Sequence, residues 1–568
     1  VRAVYVEPTL TSDSGFSTIT VNGVAVTSSQ ASQPITLVTG DTVINIVVTA
    51  QDGVTQSTYV ITVTRPASTD ASLSDLSLSS GIVVPLDPQF DTATLIYTAK
   101  VDSTVATVTV TPTLTDDRAT IQVDGQTVDS GQVSQDIDLP FNGINVINVD
   151  VTAEDGTTTQ TYLIEVIREW PSVPVTLKAS IIDPDAGFGS SVAIDGDTMV
   201  IGAPQDNDRG AIYVFTRDSV SGDWAQTAEL IAPVPQDGSR FGHAVDILGD
   251  TIVVGVNEFN LATDSSLDDA GIAYVFRKIN TTDWQRKVTL TSPTPSPSGR
   301  FGTSVSIYGD TLNGYRIVVG APRELDKGVA HVYVCDTSFT QCSNEAALTA
   351  ADGASGDIFG IAVAIYGDTI AVGAPLNAAG GSNRGAVYIY ERAGTVWSEL
   401  IPSLKASNAD DQDFFGFSVA LKGSLLVVGA PDEDSSDINN PADNSSLSQG
   451  AAYVFRETSS GWTQTDYLKP ATDAADQLLF GSSVATDLGS IAVGAPSSGP
   501  ASQPGKAYVF SLARSVGWIE TGALMNPSST NDSRFGASVD LEDAKTLVVG
   551  EPGEDTNGAD SGAVLVFE

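Results

Sequence analysis

The sequence predicts an all-β protein: a seven-bladed β-propeller preceded by two β-sandwich domains, the first of them incomplete. Three observations carry this expectation. A Phe-Gly pair opens a short alternating run seven times, at Phe188, Phe241, Phe301, Phe359, Phe415, Phe480 and Phe535, with spacings of 53 to 65 residues. A second, different unit occurs twice within residues 1–168, at an offset of 103. Between them, runs of β-branched and aromatic residues alternate with Gly, Asp and Asn turns, and no helical periodicity intervenes. Self-similarity at such a period marks units that bury their faces only against their neighbours, so seven copies without helices predict a ring.

Each Phe-Gly unit reads as four strands. In the first copy they are Ser191–Ile194, Met199–Gly202, Ala211–Phe215 and a run from Trp224 to Leu230. That fourth run repeats as Trp284/Leu290, Trp397/Leu404, Trp462/Leu468 and Trp518/Leu524. The last copy ends after its third run, at Phe567, and lacks a fourth. Trp170 and Leu177 carry the missing spacing upstream of the first copy. Residues 170–179 are therefore expected to pair with Ala563–Phe567, because closure there removes an open sheet edge. The propeller then spans 169–568. In the third copy Cys342 takes the Trp slot, six residues before Leu348, and Cys335 ends the preceding strand, at a position read as aromatic elsewhere. Neighbouring strand ends bring two Cβ atoms to bonding distance. A Cys335–Cys342 disulfide is thus expected to replace an aromatic clasp, which favours an oxidising compartment.

In the N-terminal region, Thr49-Ala50-Gln51-Asp52-Gly53 followed by Tyr59–Arg65 matches Thr152-Ala153-Glu154-Asp155-Gly156 followed by Tyr162–Arg168. Each reads as a hairpin about an Asp-Gly turn. Short strands without helix signals predict sandwiches at 1–66 and 67–168. Val4–Leu10 aligns with Val108–Leu114, so the first copy lacks a counterpart of Thr69–Ala106. Either the chain continues upstream of Val1, or another chain adds strands to the open edge.

Composition narrows the function. Lys and Arg number 27 against 70 Asp and Glu, a formal net charge of −43. That balance disfavours nucleic-acid and anionic-membrane partners, which require a basic face. It suits a well-solvated secreted surface or divalent cations. No apolar run reaches the ~20 residues of a membrane-spanning helix. The two histidines, His243 and His331, lie in alternating strands, where core or barrel-face roles are expected. No nucleophile elbow, His-x-x-x-His pattern or phosphate loop is present, and no enzymatic activity is expected.

The Phe-Gly units, with Gly202-Ala203-Pro204, Gly320-Ala321-Pro322, Gly373-Ala374-Pro375, Gly429-Ala430-Pro431 and Gly494-Ala495-Pro496, resemble the FG-GAP repeats of integrin α-subunit propellers and their bacterial relatives. Gly255-Val256-Asn257 and Gly550-Glu551-Pro552 depart from the pattern. The N-terminal units resemble the cadherin-like sandwich modules found in tandem on bacterial surface proteins, through the Thr-Ala-x-Asp-Gly turn and the Tyr-x-Ile-x-Val-x-Arg strand. Together the resemblances imply an extracellular or cell-surface adhesion module, its sandwich stalk presenting a propeller to a protein or glycan ligand. Two alternatives stand beside this reading: a lectin or carbohydrate-active propeller, and a structural subunit of an extracellular assembly that self-associates through the incomplete sandwich.

In integrins, calcium sits in the hairpin between the first two strands. Here those hairpins, such as Asp195-Gly196-Asp197 and Leu248-Gly249-Asp250, are too short and carry too few carboxylates to wrap a hard cation. Carboxylates collect instead after Gly-Ala-Pro: Asp206 and Asp208; Asp432, Asp434 and Asp437; Glu554, Asp555 and Asp560. They are candidate calcium ligands or members of a solvated acidic rim. Integrin propellers also carry aromatics just before Phe-Gly, as a cup that receives a basic side chain. This chain has Gly187, Arg240, Arg300, Ile358, Phe414, Leu479 and Arg534 there. Arg240, Arg300, Phe414 and Arg534 are candidate ligand-binding residues. The guanidiniums either form a basic collar for a carboxylate or sulfate group or pair with nearby carboxylates.

Overall fold

The computed structural model describes the chain except residues 1, 12–15, 141, 262–265, 281, 379, 436–447, 472–476, 488, 498–503, 515–516, 528–532 and 555–560. The chain divides into two compact units. One comprises Val1–Ala99, Thr107–Asp138 and Val146–Glu165; the other comprises Lys100–Ala106, Leu139–Asn145 and Val166–Glu568.

The N-terminal sheets are sandwich-like. The second copy has a five-stranded sheet ordered Gln126–Val128, Thr120–Val123, Gly143–Thr152, Thr159–Arg168, Ile96–Val101. Its second sheet is ordered Ile137–Asp138, Thr107–Leu114, Leu73–Ser79, Val83–Val84. The first copy has a four-stranded sheet that ends on Gln56–Arg65, and a small one pairing Ala3–Val4 with Ile35–Thr36. Two aligned tyrosines show the consequence. Tyr162 is fully buried, and its hydroxyl accepts the Leu73 N–H at 2.9 Å. Tyr59, which has no such strand opposite it among the described residues, is 60 % exposed.

The rest of the chain forms seven four-stranded antiparallel sheets. Six are built from consecutive strands, the first from Ser191–Asp195, Thr198–Ala203, Ala211–Arg217 and Trp224–Ile231. The seventh joins Ser538–Glu542, Thr546–Glu551 and Ala563–Phe567 to Val175–Leu177. The register is Val175↔Val566, Thr176↔Leu565 and Leu177↔Val564. The outer strand thus comes from the stretch that the Trp-to-Leu spacing marks, although only three of its residues enter the ladder. Trp170 lies outside that ladder, yet it is buried in the core shared by the sixth and seventh sheets. Trp518 packs in the same way between the fifth and sixth.

The repeated residues explain themselves by packing. The Phe of each Phe-Gly pair is buried, and in four copies it packs on a tyrosine of the third strand: Phe188 on Tyr213, Phe359 on Tyr388, Phe415 on Tyr453, Phe480 on Tyr508, with centroids 5.3 to 5.5 Å apart. His331 fills that slot under Phe301 at 5.6 Å, a core role. The glycines of the two motifs meet between sheets. A Cβ on Gly202 would stand 2.1 Å from the carbonyl oxygen of Gly242, so neither backbone could approach if the position carried a side chain. The same contact recurs in every successive pair of sheets, and Gly550 against Gly189 sets the seventh beside the first.

Cys335 and Cys342 are disulfide-bonded, with Cα atoms 4.1 Å apart and directly paired across their strands. The register corrects one part of the expectation. Cys335 does not replace an aromatic residue; the aromatic slot is two residues earlier, at Tyr333. Its equivalents opposite the Trp are Arg217, Lys278, Arg392, Glu457 and Leu512. Lys278 and Arg392 lie over the rings of Trp284 and Trp397 at 5.7 and 6.0 Å. The covalent bond therefore occupies a pair position that two other sheets fill with a cation–π contact.

Candidate functional site

The Gly-Ala-Pro turns and the Phe-Gly turns lie at the same end of the sheets, and the candidate residues divide between these two sets. Two residues after Pro204, Pro322, Pro375, Pro431 and Pro552 the chain turns inward. Asp206, Glu324, Asn377, Glu433 and Glu554 occupy that position, all buried. A buried carboxylate must find donors, and each finds its own. Asp206 accepts from the Tyr213 hydroxyl at 2.7 Å and from the Asp183 N–H at 3.3 Å. Glu324 takes Ser292, Thr294 and His331 at 2.8, 2.9 and 3.2 Å. Glu433 takes Asn408 and Tyr467 on one oxygen and Lys469 at 2.5 Å on the other. Glu554 pairs with Lys178, and Lys405 donates to Asn377 at 2.9 Å.

Among the candidate metal ligands, Asp206 and Glu554 are thus held by groups of the chain itself. Asp208 is exposed in a left-handed turn. Asp434 accepts the Ser448 N–H at 2.8 Å, and burial raises the half-buried Asp432 above the usual carboxylate range. Asp437, Asp555 and Asp560 fall outside the described residues. Among the described residues, no group of three His, Cys, Asp or Glu side chains is arranged to hold a metal ion.

Sequence reasoning missed the lysines. Lys178, Lys405 and Lys469 each directly follow the Leu that ends a Trp-to-Leu run. The Leu-Lys pair was a readable signal, because the residue after the last core-facing Leu of a fourth strand points back toward the rim. Lys469 places three N–H groups on Glu433, Ser435 O and Gly450 O, the last at 2.7 Å. The ammonium of Lys469 thus satisfies one carboxylate oxygen and two backbone carbonyls of the segment after Pro431.

The residues before Phe-Gly form a collar. All seven have φ between +51° and +65°, and the six that carry a side chain are half-buried or exposed. Arg240 pairs with Glu258 at 2.8 Å, and Arg300 reaches the other oxygen of the same carboxylate at 3.4 Å. Arg534 is exposed and makes no ion pair with any described residue. Phe414 is half-buried, and Phe417 beyond it is 45 % exposed. Arg240 and Arg534 line a pocket of about 290 Å³ above Gly187, together with Ser190, Gln205 and His243. Burial, then Arg240 and Arg300, lower the His243 pKa to about 4. The pocket's histidine is therefore neutral at pH 7.

The first strands of all seven sheets line a central cavity of about 350 Å³. Two carboxylates project into it at equivalent positions of the second and seventh sheets. Asp246 accepts the Ile307 N–H of the next sheet at 2.8 Å, and Asp540 accepts the Ile194 N–H of the first at 2.8 Å. Burial raises them to about 6 and about 7.

Models of two protein families match this chain. One, described as a cadherin-like beta sandwich domain, matches residues 1–66 and 73–169. The other, described as FG-GAP repeat, matches 175–215, 224–276, 342–390, 399–455, 462–510 and 518–567. Both are structural and adhesion modules, not catalytic ones. A curated protein of Evansella cellulosilytica, named "Putative membrane protein", is 39 % identical over 103 residues. The match covers 18 % of this chain and 15 % of that protein's length. No helix among the described residues is long and apolar enough to cross a membrane.

Proposed function

This chain belongs to the FG-GAP repeat family, and from that premise we propose that it is an extracellular or cell-surface adhesion module, in which cadherin-like sandwiches at 1–66 and 67–168 carry a closed seven-bladed propeller at 169–568. The ligand is a protein or glycan held at the propeller rim. The observation that carries this reading is the collar. At one structurally fixed position, before each Phe-Gly pair, the seven sheets carry Gly187, Arg240, Arg300, Ile358, Phe414, Leu479 and Arg534, all with φ between +51° and +65°. Residues that hold a repeat together are repeated; these are not, and their variety fits recognition. The outer strand Val175–Leu177 and the Gly550–Gly189 contact support closure. The donors already satisfying Asp206 and Glu554 favour an acidic, solvated rim over a fixed calcium ion.

The test is a binding survey of the purified chain against matrix proteins, cell-surface proteins and glycans. Saturable binding that collar substitutions abolish is the expected result. Binding that survives them, or ordered self-association as the sole activity, would favour the structural-subunit alternative; turnover of a glycan would favour the carbohydrate-active one.

A further inference from the structure

The collar is not uniform around the ring. The seventh, first, second and third sheets contribute Arg534, Gly187, Arg240 and Arg300; the fourth, fifth and sixth contribute Ile358, Phe414 and Leu479. One arc is basic and the other apolar. In a chain of net charge −43, three guanidiniums on consecutive collar positions interrupted only by glycine require a local reason.

Gly187 makes the interruption a pocket. Its φ is +65°, and a Cβ there would stand 2.6 Å from the Gln205 Oε1. Gln205 thus packs close over Gly187, and both line the pocket with Arg240 and Arg534. Their charges are not cancelled. Glu258 is shared between Arg240 and Arg300, Arg534 has no described partner, and His243 is neutral. Asp185 also lines the pocket. Three guanidiniums against Glu258 and Asp185 leave one positive charge. At physiological salt the rest of the acidic surface is screened beyond about 8 Å, so a ligand group inside the pocket experiences mainly these neighbours. Paired guanidiniums match a planar oxyanion.

We propose that the pocket between Arg240 and Arg534 takes the carboxylate of an acidic peptide segment, whose neighbouring apolar side chain covers the arc of Ile358, Phe414 and Leu479. The inference rests on the binding-module reading and specifies its ligand. A peptide fits better than an acidic glycan because the arc needs an apolar group to cover it. Phe417, 45 % exposed beside Phe414, extends that surface, and a sulfated sugar would leave it in water.

The experiment uses the full chain and two arrays of hexapeptides, one with a fixed central Asp and randomised flanks, the other with Asn in its place. A heparin hexasaccharide is the glycan probe. Binders should come from the Asp array and favour Leu, Ile, Phe or Met beside the Asp. Arg534→Gln, at an exposed residue without a described partner, should keep the wild-type melting temperature and weaken those binders about tenfold or more, as loss of a charge-assisted hydrogen bond does. Phe417→Ser should weaken Asp and Asn peptides by the same factor. Equal binding to both arrays, or Arg534→Gln binding like wild type, overturns the proposal. Binding of heparin alone, lost in Arg534→Gln, overturns the peptide assignment and leaves the binding-module reading standing. No binding to either array, with ligands found elsewhere by the wider survey, overturns this site alone.

Discussion

Replacing Lys469 by Met tests whether the rim loop of the fifth sheet is held by an internal cation. The substitution keeps most of the side chain's apolar stem but removes the ammonium from Glu433, whose side chain is 2 % exposed. Two consequences can be sized. Ser435 O and Gly450 O each lose a donor, a pH-independent loss of roughly 1 kcal/mol in all. Glu433 is left as a buried charge without its counter-ion, and such breaks cost about 3–5 kcal/mol. Proton uptake limits that charge penalty. At pH 7 protonating an ordinary glutamate, about 2.7 pH units below its surroundings, costs ~3.7 kcal/mol; at pH 5 it costs ~1 kcal/mol. The variant should therefore lose about 4–5 kcal/mol at pH 7 and about 2 at pH 5. Adding Glu433→Gln should recover most of the difference. All six Trp lie between 170 and 518, so Trp fluorescence during urea unfolding reports the sheets of the ring without the N-terminal sandwiches. A loss under ~1 kcal/mol at pH 7, or one that does not shrink on acidification, would refute the internal-cation account.

Two further outcomes are expected. Deleting residues 170–179 should lower the ring's unfolding midpoint and promote aggregation, because it bares the edge of Ala563–Phe567 and removes Leu177 from the core around Phe188; an unchanged midpoint in a monomeric deletion would contradict closure by that strand. The channel acid Asp540 has a folded pKa raised from 3.8 to about 7. Its contribution is fully present below pH 3.8 and is lost as pH rises through 7, so the midpoint should fall from about pH 4 to about pH 7 and level off above, and Asp540→Asn, which keeps an acceptor for Ile194, should flatten that fall.

Much of this arrangement is readable in the chain because repeated backbone demands repeat in sequence. Phe188, Tyr213, Gly202 and Gly242 each fill a slot that geometry restricts to one shape, so period alone finds the sheets and the seventh sheet's borrowed strand. The N-terminal alignment likewise anticipates the gap that leaves Tyr59 exposed where Tyr162 is buried. Other features depend on which residue lies across a strand, and sequence spacing does not give register. For that reason spacing alone puts Cys335 in an aromatic slot that belongs to Tyr333. Asp246 and Asp540 each read as one polar residue in an alternating strand; only the arrangement of the sheets brings both to the same cavity. Asp206 and Glu554 read as exposed rim acids because carboxylates normally are, and their partners Tyr213 and Lys178 lie on other strands. Lys178 and Glu554 are 376 residues apart.

The collar also carries one residue that the backbone should reject. Ile358 has φ +51°, and a β-branched side chain in the left-handed region is strained by about 1–2 kcal/mol relative to a residue that tolerates it. Core packing does not account for it: the buried anchor of that turn is Phe359, and Ile358 itself is only half-buried. Gly187 shows that the same turn forms with glycine. A side chain retained against strain, at a position where the fold needs none, points to use outside the fold. Asn tolerates that backbone and removes the apolar surface. Ile358→Asn should therefore leave the ring's unfolding midpoint unchanged or raise stability by up to ~1 kcal/mol, while weakening peptides with an apolar residue beside the acid. Its effect should be the same for Asp and Asn peptides, in contrast to Arg534→Gln, because it alters the apolar arc and leaves the guanidiniums in place. If Ile358→Asn destabilised the ring by more than ~1 kcal/mol, the side chain would be structural, and the apolar arc would lose its strongest support.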